Sequence, residues 1–148
     1  MARILLVEDD VATSHVIRDI LLEEKFLVAH SYNGLEGLKF LGMKPQDGSS
    51  DDDNAWTFVN EWSKNPAEIV LPDLVIMDCL MPKMDGLSLT SQMAGDDRVK
   101  KIPVIVLTSK PKMEEPFRQL SNVASFITKP VDPDKLIGAV TSALAKAS

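Results

Sequence analysis

The sequence predicts a doubly wound α/β domain built on a five-stranded parallel sheet. Short β-branched apolar runs alternate with longer segments of helical period, which is the pattern of repeated strand–helix–strand units. The run Val104–Leu107 is apolar throughout, as expected of a strand that is buried on both faces. Acidic and polar side chains follow several of these runs, at the strand ends where ligands collect in parallel sheets.

Five strands are expected in chain order, and a first helix follows the first of them. The predicted strands are Arg3–Val7, Phe26–His30, Leu74–Met77, Val104–Leu107 and Ser125–Ile127. In the first helix, Val16, Ile17, Ile20 and Leu21 have the spacing of a stripe that packs against the sheet.

Capping signals predict where other helices begin. Asn33, with Glu36 three residues later, resembles a capping box. Asp132 followed by Pro133 is an N-cap with proline at the first helical position. This last helix is expected to run almost to the end, so residues 1–148 are expected to form a single domain. Pro116 would break the interior of the fourth helix, so that helix either starts there or is irregular.

Residues 42–71 interrupt the pattern as an insertion between the second helix and the third strand, where about 2–6 residues would be usual. Residues 46–54 are acidic and rich in turn formers, and residues 54–64 have the apolar spacing of a short helix that carries Trp56 and Trp62. We expect a solvated loop and a small helix packed on the sheet edge. A docking element that uses the tryptophans is the alternative.

The composition is that of an ordinary globular domain. Of the 148 residues, 45% are hydrophobic and 26% are charged, and the net charge is −6. This charge disfavours nucleic acid and anionic membranes as partners, and no apolar run approaches the roughly 18 residues of a membrane span. The single cysteine, Cys79, fits a reducing compartment, and no signal peptide is visible. A cytoplasmic protein is expected.

Five residues at strand ends predict a site for phosphoryl chemistry. They are Glu8 and Asp9 after the first strand, Asp78 after the third, Thr108 after the fourth and Lys129 after the fifth. Asp78 is the candidate nucleophile. Two carboxylates about 4 Å apart repel by roughly 4 kcal/mol at an effective dielectric near 20, so the cluster favours a hard cation such as Mg²⁺. Lys129 and Thr108 can bind phosphoryl oxygens.

At these residues the chain resembles the receiver domains of two-component response regulators, in particular the single-domain, chemotaxis-type regulators. The motifs are Glu8-Asp9, Asp78-x-x-Met81-Pro82-x-x-Asp85-Gly86, Leu107-Thr108-Ser109 and Lys129-Pro130. The resemblance spans Ala2 to about Leu144, apart from residues 42–71. It implies a flavodoxin-like (βα)5 fold.

The resemblance also implies an aspartyl-phosphate switch rather than an enzyme. Asp78 would accept a phosphoryl group from a histidine kinase or a histidine phosphotransfer protein. Asp9, Asp78 and the Leu80 backbone carbonyl would bind Mg²⁺ directly, and Glu8 would bind it through water. The chain would assist its own Mg²⁺-dependent phosphorylation and dephosphorylation, and would signal by contact with an unidentified downstream protein.

The output of such a switch involves two more positions. Thr108 would move toward the phosphate, and an aromatic residue, here Phe126, would rotate inward and remodel the surface of the fourth helix, fifth strand and fifth helix. The alternative for Phe126 is a permanently buried core residue. Leu80 cannot orient an attacking water and Lys110 could cover the phosphate, so we expect the phosphate to last minutes or longer.

The remaining polar residues near these motifs have simpler interpretations. Asp10 and Asp85-Gly86 are expected to begin helices. Cys79 is expected to be a small buried apolar residue, and His15 and His30 are expected to be structural.

Two other functions stay open at this point. An adaptor could keep the fold and act without phosphorylation. A small phosphatase with an aspartyl nucleophile would also use Mg²⁺, but it would need a general acid two residues after Asp78, where Leu80 stands. It would also need a cap over its substrate, for which the insertion is small.

Overall fold

A computed structural model describes residues 1–44, 62, 69–81 and 83–147. The elements are β1 (Arg3–Val7), α1 (Val11–Glu23), β2 (Leu27–Ser31), α2 (Gly34–Phe40), β3 (Leu74–Asp78), α3 (Gly86–Ala94), β4 (Val104–Thr108), a 3₁₀ helix (Pro111–Gln119), β5 (Val123–Thr128) and α4 (Pro133–Ala147). The acidic stretch and most of the short helix expected within residues 42–71 lie outside the described residues.

The five strands form one parallel sheet in the order β2-β1-β3-β4-β5. The predicted fold class is therefore confirmed. The order reverses between β1 and β3, and such a reversal opens a crevice at the carboxyl edge of a parallel sheet. In register, Asp78 at the end of β3 lies beside Leu107 of β4. The carboxyl ends of β1, β3, β4 and β5 thus lie at one edge of the sheet.

The strands are buried because helices cover both faces of the sheet. On one face, Leu5, Val75 and Val104 pack with residues of α2, α3 and the 3₁₀ helix. On the other face, alternate residues of the same strands pack against α1 and α4, including Ile17 and Leu136. This packing on both faces holds the strand ends in fixed positions around the carboxyl edge.

The inward face of α1 differs in one residue from the predicted stripe. Ser14, Ile17 and Leu21 are buried, whereas the side chain of Val16 is 53% exposed. The prediction for Val16 was wrong because the helix is rotated so that the spacing 14-17-21 faces the sheet.

The capping predictions agree with the helix ends. The Asn33 side chain accepts a hydrogen bond from the Glu36 amide at 2.9 Å, and α4 begins at Pro133 after Asp132. Helix α2 ends where Gly42 adopts φ +73°, a conformation that glycine reaches without a Cβ penalty. Its amide donates to the Lys39 carbonyl at 2.9 Å, which closes the helix.

The expected fourth helix is a 3₁₀ helix, with Pro116 inside it. Proline has no amide hydrogen and its ring clashes with the preceding helical turn, so a regular α-helix is disfavoured here. Of the two predicted outcomes, the irregular one is observed. Phe117 is buried and attaches this segment to the sheet.

Trp62 is the described residue within the insertion between Lys44 and Ile69. Its ring packs edge-on against Phe40, with the ring centroids 5.1 Å apart. Phe40 belongs to the core on the α2 side, so this tryptophan contributes to packing. The observation agrees with the structural interpretation of the residue.

Candidate functional site

All five predicted site residues lie at the carboxyl edge of the sheet, at or next to the ends of four strands. Asp78 and Thr108 are the last residues of β3 and β4. Glu8 and Asp9 directly follow β1, and Lys129 directly follows β5. Glu8 is fixed there because its amide donates to the Ser31 carbonyl at 3.0 Å. The Lys129 amide is fixed in the same way by the Thr108 carbonyl at 2.8 Å.

The Lys129 ammonium group joins the two buried carboxylates of the site. Its Nζ lies 2.7 Å from Glu8 Oε1 and 2.7 Å from Asp78 Oδ2. Glu8 is fully buried and Asp78 is 8% exposed. Charge-assisted bonds of this length in a water-poor place are strong, so Asp78 is held in one orientation at the edge of the sheet.

Burial raises the pKa of Glu8 to about 8, and the neighbouring Asp78 adds to this rise while Lys129 opposes it. For Lys129, burial by itself would lower the pKa, but Asp78 and Glu8 together raise it above its ordinary value. Lys129 is thus a permanent cation at neutral pH. Two carboxylates and one ammonium group leave one negative charge without a partner. A proton on Glu8 removes this charge when no metal is bound.

The acidic residues are close enough to share a metal ion. Glu8, Asp9 and Asp78 each offer one carboxylate oxygen, and these oxygens lie within 4.8 Å of one another. Asp9 is exposed, so a hydrated ion could reach it. Glu8 Oε2 is buried and has no hydrogen-bond partner among the described residues. An all-oxygen set with an unpaired acceptor fits a hard cation such as Mg²⁺.

Thr108 is placed beside the acidic cluster, although its hydroxyl is turned to the following loop. Its Oγ1 donates to the Lys110 carbonyl at 2.8 Å and accepts from the Lys110 amide at 3.0 Å. The Leu80 amide approaches Asp78 Oδ1 at 3.4 Å, and the Leu80 side chain is 51% exposed. Leu80 therefore lies beside Asp78, and the effect of Leu80 and Lys110 on the lifetime of the phosphate stays a prediction.

Residues 52–141 match the sequence model of the response regulator receiver domain family. This match covers more than half of the chain. The chain belongs to the response regulator receiver domain family. Members of this family act as phosphoacceptor switches in two-component signalling, and receiver domains generally bind Mg²⁺ at an acidic site. The predicted family is confirmed.

Related proteins cover nearly the whole of this receiver domain. The probable transcriptional regulator ycf29 of Porphyra purpurea is 28% identical over 138 residues, 93% of this chain. Protein PilH of Pseudomonas aeruginosa is 25% identical over 146 residues, which are 98% of this chain and 99% of PilH. The chain spans 54% of the ycf29 protein. It spans only 7% of another relative, the hybrid signal transduction histidine kinase D of Dictyostelium discoideum.

A solved structure shows the same fold. The signal receiver domain of a signal transduction histidine kinase from Syntrophus aciditrophicus is 29% identical, with a TM-score of 0.73. The similarity covers 99% of this chain and 92% of that domain. Within the described ranges, the helices of this receiver domain are too short or too polar to cross a lipid bilayer.

In this receiver domain, Phe126 lies on β5, and its ring contacts two residues of the 3₁₀ helix. Its ring meets Phe117 edge-on with centroids 6.2 Å apart, and the Arg118 guanidinium carbon lies 5.2 Å from the ring centroid. Phe126 is partly buried rather than sealed in the core. The contacts describe one position of the ring, so its role as a switch stays a prediction.

Residues expected to be structural lie beside the receiver site and support it. His30 Nε2 lies 2.8 Å from the Glu8 carbonyl oxygen, and burial lowers the pKa of His30. Asp10 accepts a hydrogen bond from the Thr13 amide at 3.2 Å and caps α1. Cys79 is buried, and burial raises the pKa of its thiol. His15 is exposed on α1.

The importance of Gly86 to the site was not predicted from the sequence. A Cβ at this position would lie 2.4 Å from the Asp78 carbonyl oxygen and 3.1 Å from the Cys79 Cα. Only glycine lets the start of α3 approach the strand end that carries Asp78. The Asp85-Gly86 pair was recognised as a helix start, and Asp85 does cap α3 through the Ser88 amide at 2.8 Å.

Proposed function

We propose that residues 1–148 act as one receiver domain in which Asp78 is the phosphoacceptor. The phosphoryl donor is the phosphohistidine of a histidine kinase or of a histidine phosphotransfer protein. The phosphorylated form then signals through contact with a downstream protein. The observation that carries this proposal is the double contact of Lys129 with Asp78 and Glu8, each at 2.7 Å.

Asp78 performs the bond-forming step of the proposed reaction. A carboxylate oxygen attacks the phosphorus, the P–N bond to the donor imidazole breaks, and the imidazole nitrogen leaves with the bonding electron pair. Lys129 keeps the carboxylate charged and oriented before the attack, because its ammonium group is within 2.7 Å of Oδ2. After the attack the same ammonium group is close enough to bind a phosphoryl oxygen.

We assign the metal ligands to Asp9, Asp78 and the Leu80 backbone carbonyl, with Glu8 binding through water. When bound, Mg²⁺ neutralises the charge on the phosphoryl oxygens. The unpaired, buried Glu8 Oε2 supports this assignment, since a buried acceptor without a donor is costly. The exposed Asp9 supplies the side of the site that faces solvent.

Two residues are assigned to the response. Thr108 exchanges its bonds with Lys110 for a bond to the phosphate, which requires rotation of its hydroxyl away from the loop. Phe126 then changes its contacts with Phe117 and Arg118, and the surface formed by the 3₁₀ helix, β5 and α4 changes with it. We propose that this exchange takes place in the cytoplasm.

The experiment that tests this function is intact-protein mass spectrometry after incubation with acetyl phosphate and Mg²⁺. One phosphoryl group per chain is expected. Asp78→Asn and an excess of chelator should each abolish it, whereas Asp19→Asn, which changes an exposed carboxylate on α1, should leave it unchanged.

Other outcomes would support the alternative functions or reject the proposal. Addition of the same mass to Asp78→Asn would show that another residue is the acceptor. Repeated release of phosphate from an ester substrate would indicate a phosphatase. If the wild-type chain gains no mass and also fails to bind beryllofluoride, which mimics a stable phosphoryl group, the switch is rejected in favour of an adaptor.

A further inference from the structure

The backbone of Glu8 is held on both sides by residues of β2. The Glu8 amide donates to the Ser31 carbonyl at 3.0 Å, and the Glu8 carbonyl oxygen lies 2.8 Å from His30 Nε2. Because a peptide unit is planar, the carbonyl of Glu8 and the amide of Asp9 turn together. A contact that fixes this carbonyl therefore also fixes the direction in which Asp9 leaves the strand.

Only one direction is possible for the hydrogen bond between His30 and Glu8. A carbonyl oxygen can accept but cannot donate, so His30 Nε2 must carry the hydrogen. The distance of 2.8 Å is that of an ordinary N–H···O bond. Since burial lowers the pKa of His30, the ring is neutral at about pH 7.5, and its other nitrogen, Nδ1, then carries no hydrogen.

The imidazole ring of His30 is itself held by its neighbours. His30 lies in β2 beside Leu6 of β1, where it is partly buried. The Tyr32 ring packs against it, with the ring centroids 4.2 Å apart. The Tyr32 amide donates to Glu36 Oε1 at 3.2 Å, which connects this pair of rings to the first turn of α2. The donor atom of His30 is thus kept beside the Glu8 carbonyl.

Asp9 depends on its backbone more than the other two acidic residues of the site do. Glu8 and Asp78 are both bound by the Lys129 ammonium group at 2.7 Å. The exposed Asp9 carboxylate makes no hydrogen bond or ion pair with a residue in the described part of the chain. One of its oxygens nevertheless lies within 4.8 Å of theirs. The direction of the Asp9 backbone is therefore what places this oxygen in the cluster.

We propose that His30 is a positioning residue for the metal site, whose Nε2–H holds the peptide unit between Glu8 and Asp9 so that the Asp9 carboxylate faces Asp78. This role rests on the proposed function, in which Asp9 binds Mg²⁺ directly. Partners that orient metal ligands change metal affinity by roughly 10–100-fold in other proteins. A histidine that only fills space would change the stability of the fold, but not the affinity of the folded protein for Mg²⁺.

The first test is the tautomer of His30 in the metal-free wild-type protein, measured by long-range ¹H–¹⁵N NMR at about pH 7.5. We expect hydrogen on Nε2 and none on Nδ1. Hydrogen on Nδ1 alone would overturn the proposal, because Nε2 could then not donate to the Glu8 carbonyl. This measurement requires no substitution, so it does not depend on the folding of a variant.

The second test is a titration of ¹⁵N-labelled protein with Mg²⁺ alone, followed by the backbone amide shifts of residues 8–10. His30→Leu removes the donor and should weaken Mg²⁺ binding by about tenfold. His30→Gln keeps an N–H donor and should restore most of the affinity. His15→Leu removes the other histidine from an exposed position on α1 and should leave the affinity unchanged. His30→Phe, which keeps a flat ring without a donor, replaces His30→Leu if that variant does not fold.

The outcomes of this titration separate the role of His30 from the proposed function. If the wild type binds Mg²⁺ and His30→Leu binds it equally well, His30 does not position the site. Equal weakening by His30→Leu and His30→Gln would also overturn the proposal, because the shape of the ring rather than its donor would then matter. If the wild type gives no saturable shifts with Mg²⁺, the metal assignment of the proposed function fails, and the role of His30 fails with it.

Discussion

Lys129 is the residue on which the electrostatics of the site depend. Its side chain is 21% exposed, and its ammonium group lies 2.7 Å from an oxygen of each buried carboxylate. Without it, Glu8 and Asp78 would face each other with no described cation between them. The metal-free site is therefore stable only when a lysine or a proton offsets the second carboxylate.

Lys129→Met should destabilise the metal-free protein. The change leaves two buried acceptor groups without their donor, which costs about 1–3 kcal/mol in the free energy of unfolding. Urea unfolding in the presence of a chelator measures this value, and added Mg²⁺ should restore part of it. Lys135→Met replaces an exposed lysine on α4 and should change the stability by less than about 0.5 kcal/mol. Equal effects of the two substitutions would contradict the role given to Lys129.

Leu80 should determine how long the phosphorylated form lasts. Its side chain is half-exposed beside Asp78 and cannot orient a water molecule for attack. We expect the wild-type phosphate to last minutes or longer and Leu80→Asn to shorten this several-fold. The decay is measured by intact mass after removal of acetyl phosphate. Leu22→Asn, at a 43% exposed position on α1, is the matched control, and a wild-type lifetime of seconds would reject the idea.

Single residues were predictable from sequence where a backbone rule applies to them. Asp10 and Asp85 cap helices as their positions indicated. The direct contact between Lys129 and Glu8 was not predicted, because strand-end positions define an edge but not which side chains pair across it. Val16 was assigned to the wrong face of α1 because hydrophobicity alone does not show that Ser14 is the buried neighbour.

At the scale of elements, the junction of β3 and α3 controls the position of Asp78. The Gly86 amide donates to the Cys79 carbonyl at 3.1 Å, and the Thr90 hydroxyl donates to the Gly86 carbonyl at 2.7 Å. The first turn of α3 is thus attached to the strand end that carries the acceptor. A displacement of this turn would displace Asp78.

Gly86→Ala should therefore impair both stability and phosphorylation. The added Cβ would meet backbone atoms of Asp78 and Cys79, and overpacking of this kind costs about 1–3 kcal/mol. Gly138→Ala in α4 is the control, since nothing lies within 4 Å of its Cβ and alanine stabilises a helix by roughly 0.5–1 kcal/mol over glycine. Thermal unfolding and acetyl phosphate labelling measure both variants. An unimpaired Gly86→Ala would show that α3 shifts freely.

Strands and helices were predictable where the hydrophobic pattern is clear, as in β1, and where capping residues agree with it, as in α1 and α4. The segment 111–119 was not predictable to the same degree, because Pro116 opposes the apolar pattern that Met113 and Phe117 would give a helix. The outcome depends on how Phe117 packs with Phe126, which is a contact between distant parts of the chain. The residues near Pro116 in the sequence do not indicate whether such a distant contact forms.

For the whole molecule, the sheet order is what converts scattered residues into a site. Glu8 and Lys129 are 121 positions apart in the chain, and parallel pairing brings both to the carboxyl edge. The fold class could be predicted because the strands are continuous apolar runs that a two-sided sheet requires. The insertion between Lys44 and Ile69 has only the apolar spacing of residues 54–64 as a signal, and its expected loop and helix remain predictions.

The titration of Glu8 should make the stability of the metal-free domain depend on pH in an unusual direction. A carboxyl group with a folded-state pKa raised from 4.5 to about 8 binds its proton more tightly in the folded than in the unfolded chain. Its contribution to stability is fully present below pH 4.5 and is lost as pH rises toward 8. The facing charges are Asp9, Asp78 and Lys129, and the lowered pKa of His30 keeps that residue neutral above pH 6.5.

Between pH 6.5 and 8, the free energy of unfolding measured with chelator should therefore decrease, by at most about 1.4 kcal/mol per pH unit for one proton. Glu8→Gln should remove this slope, because an amide keeps the shape of the side chain and does not titrate. Asp9→Asn, which changes the exposed carboxylate of the same cluster, should keep it. Urea unfolding at several pH values in this window measures the three proteins. If Glu8→Gln has the same dependence of unfolding free energy on pH as the wild type, the proton belongs to another group. Glu8 is then not the residue that binds it.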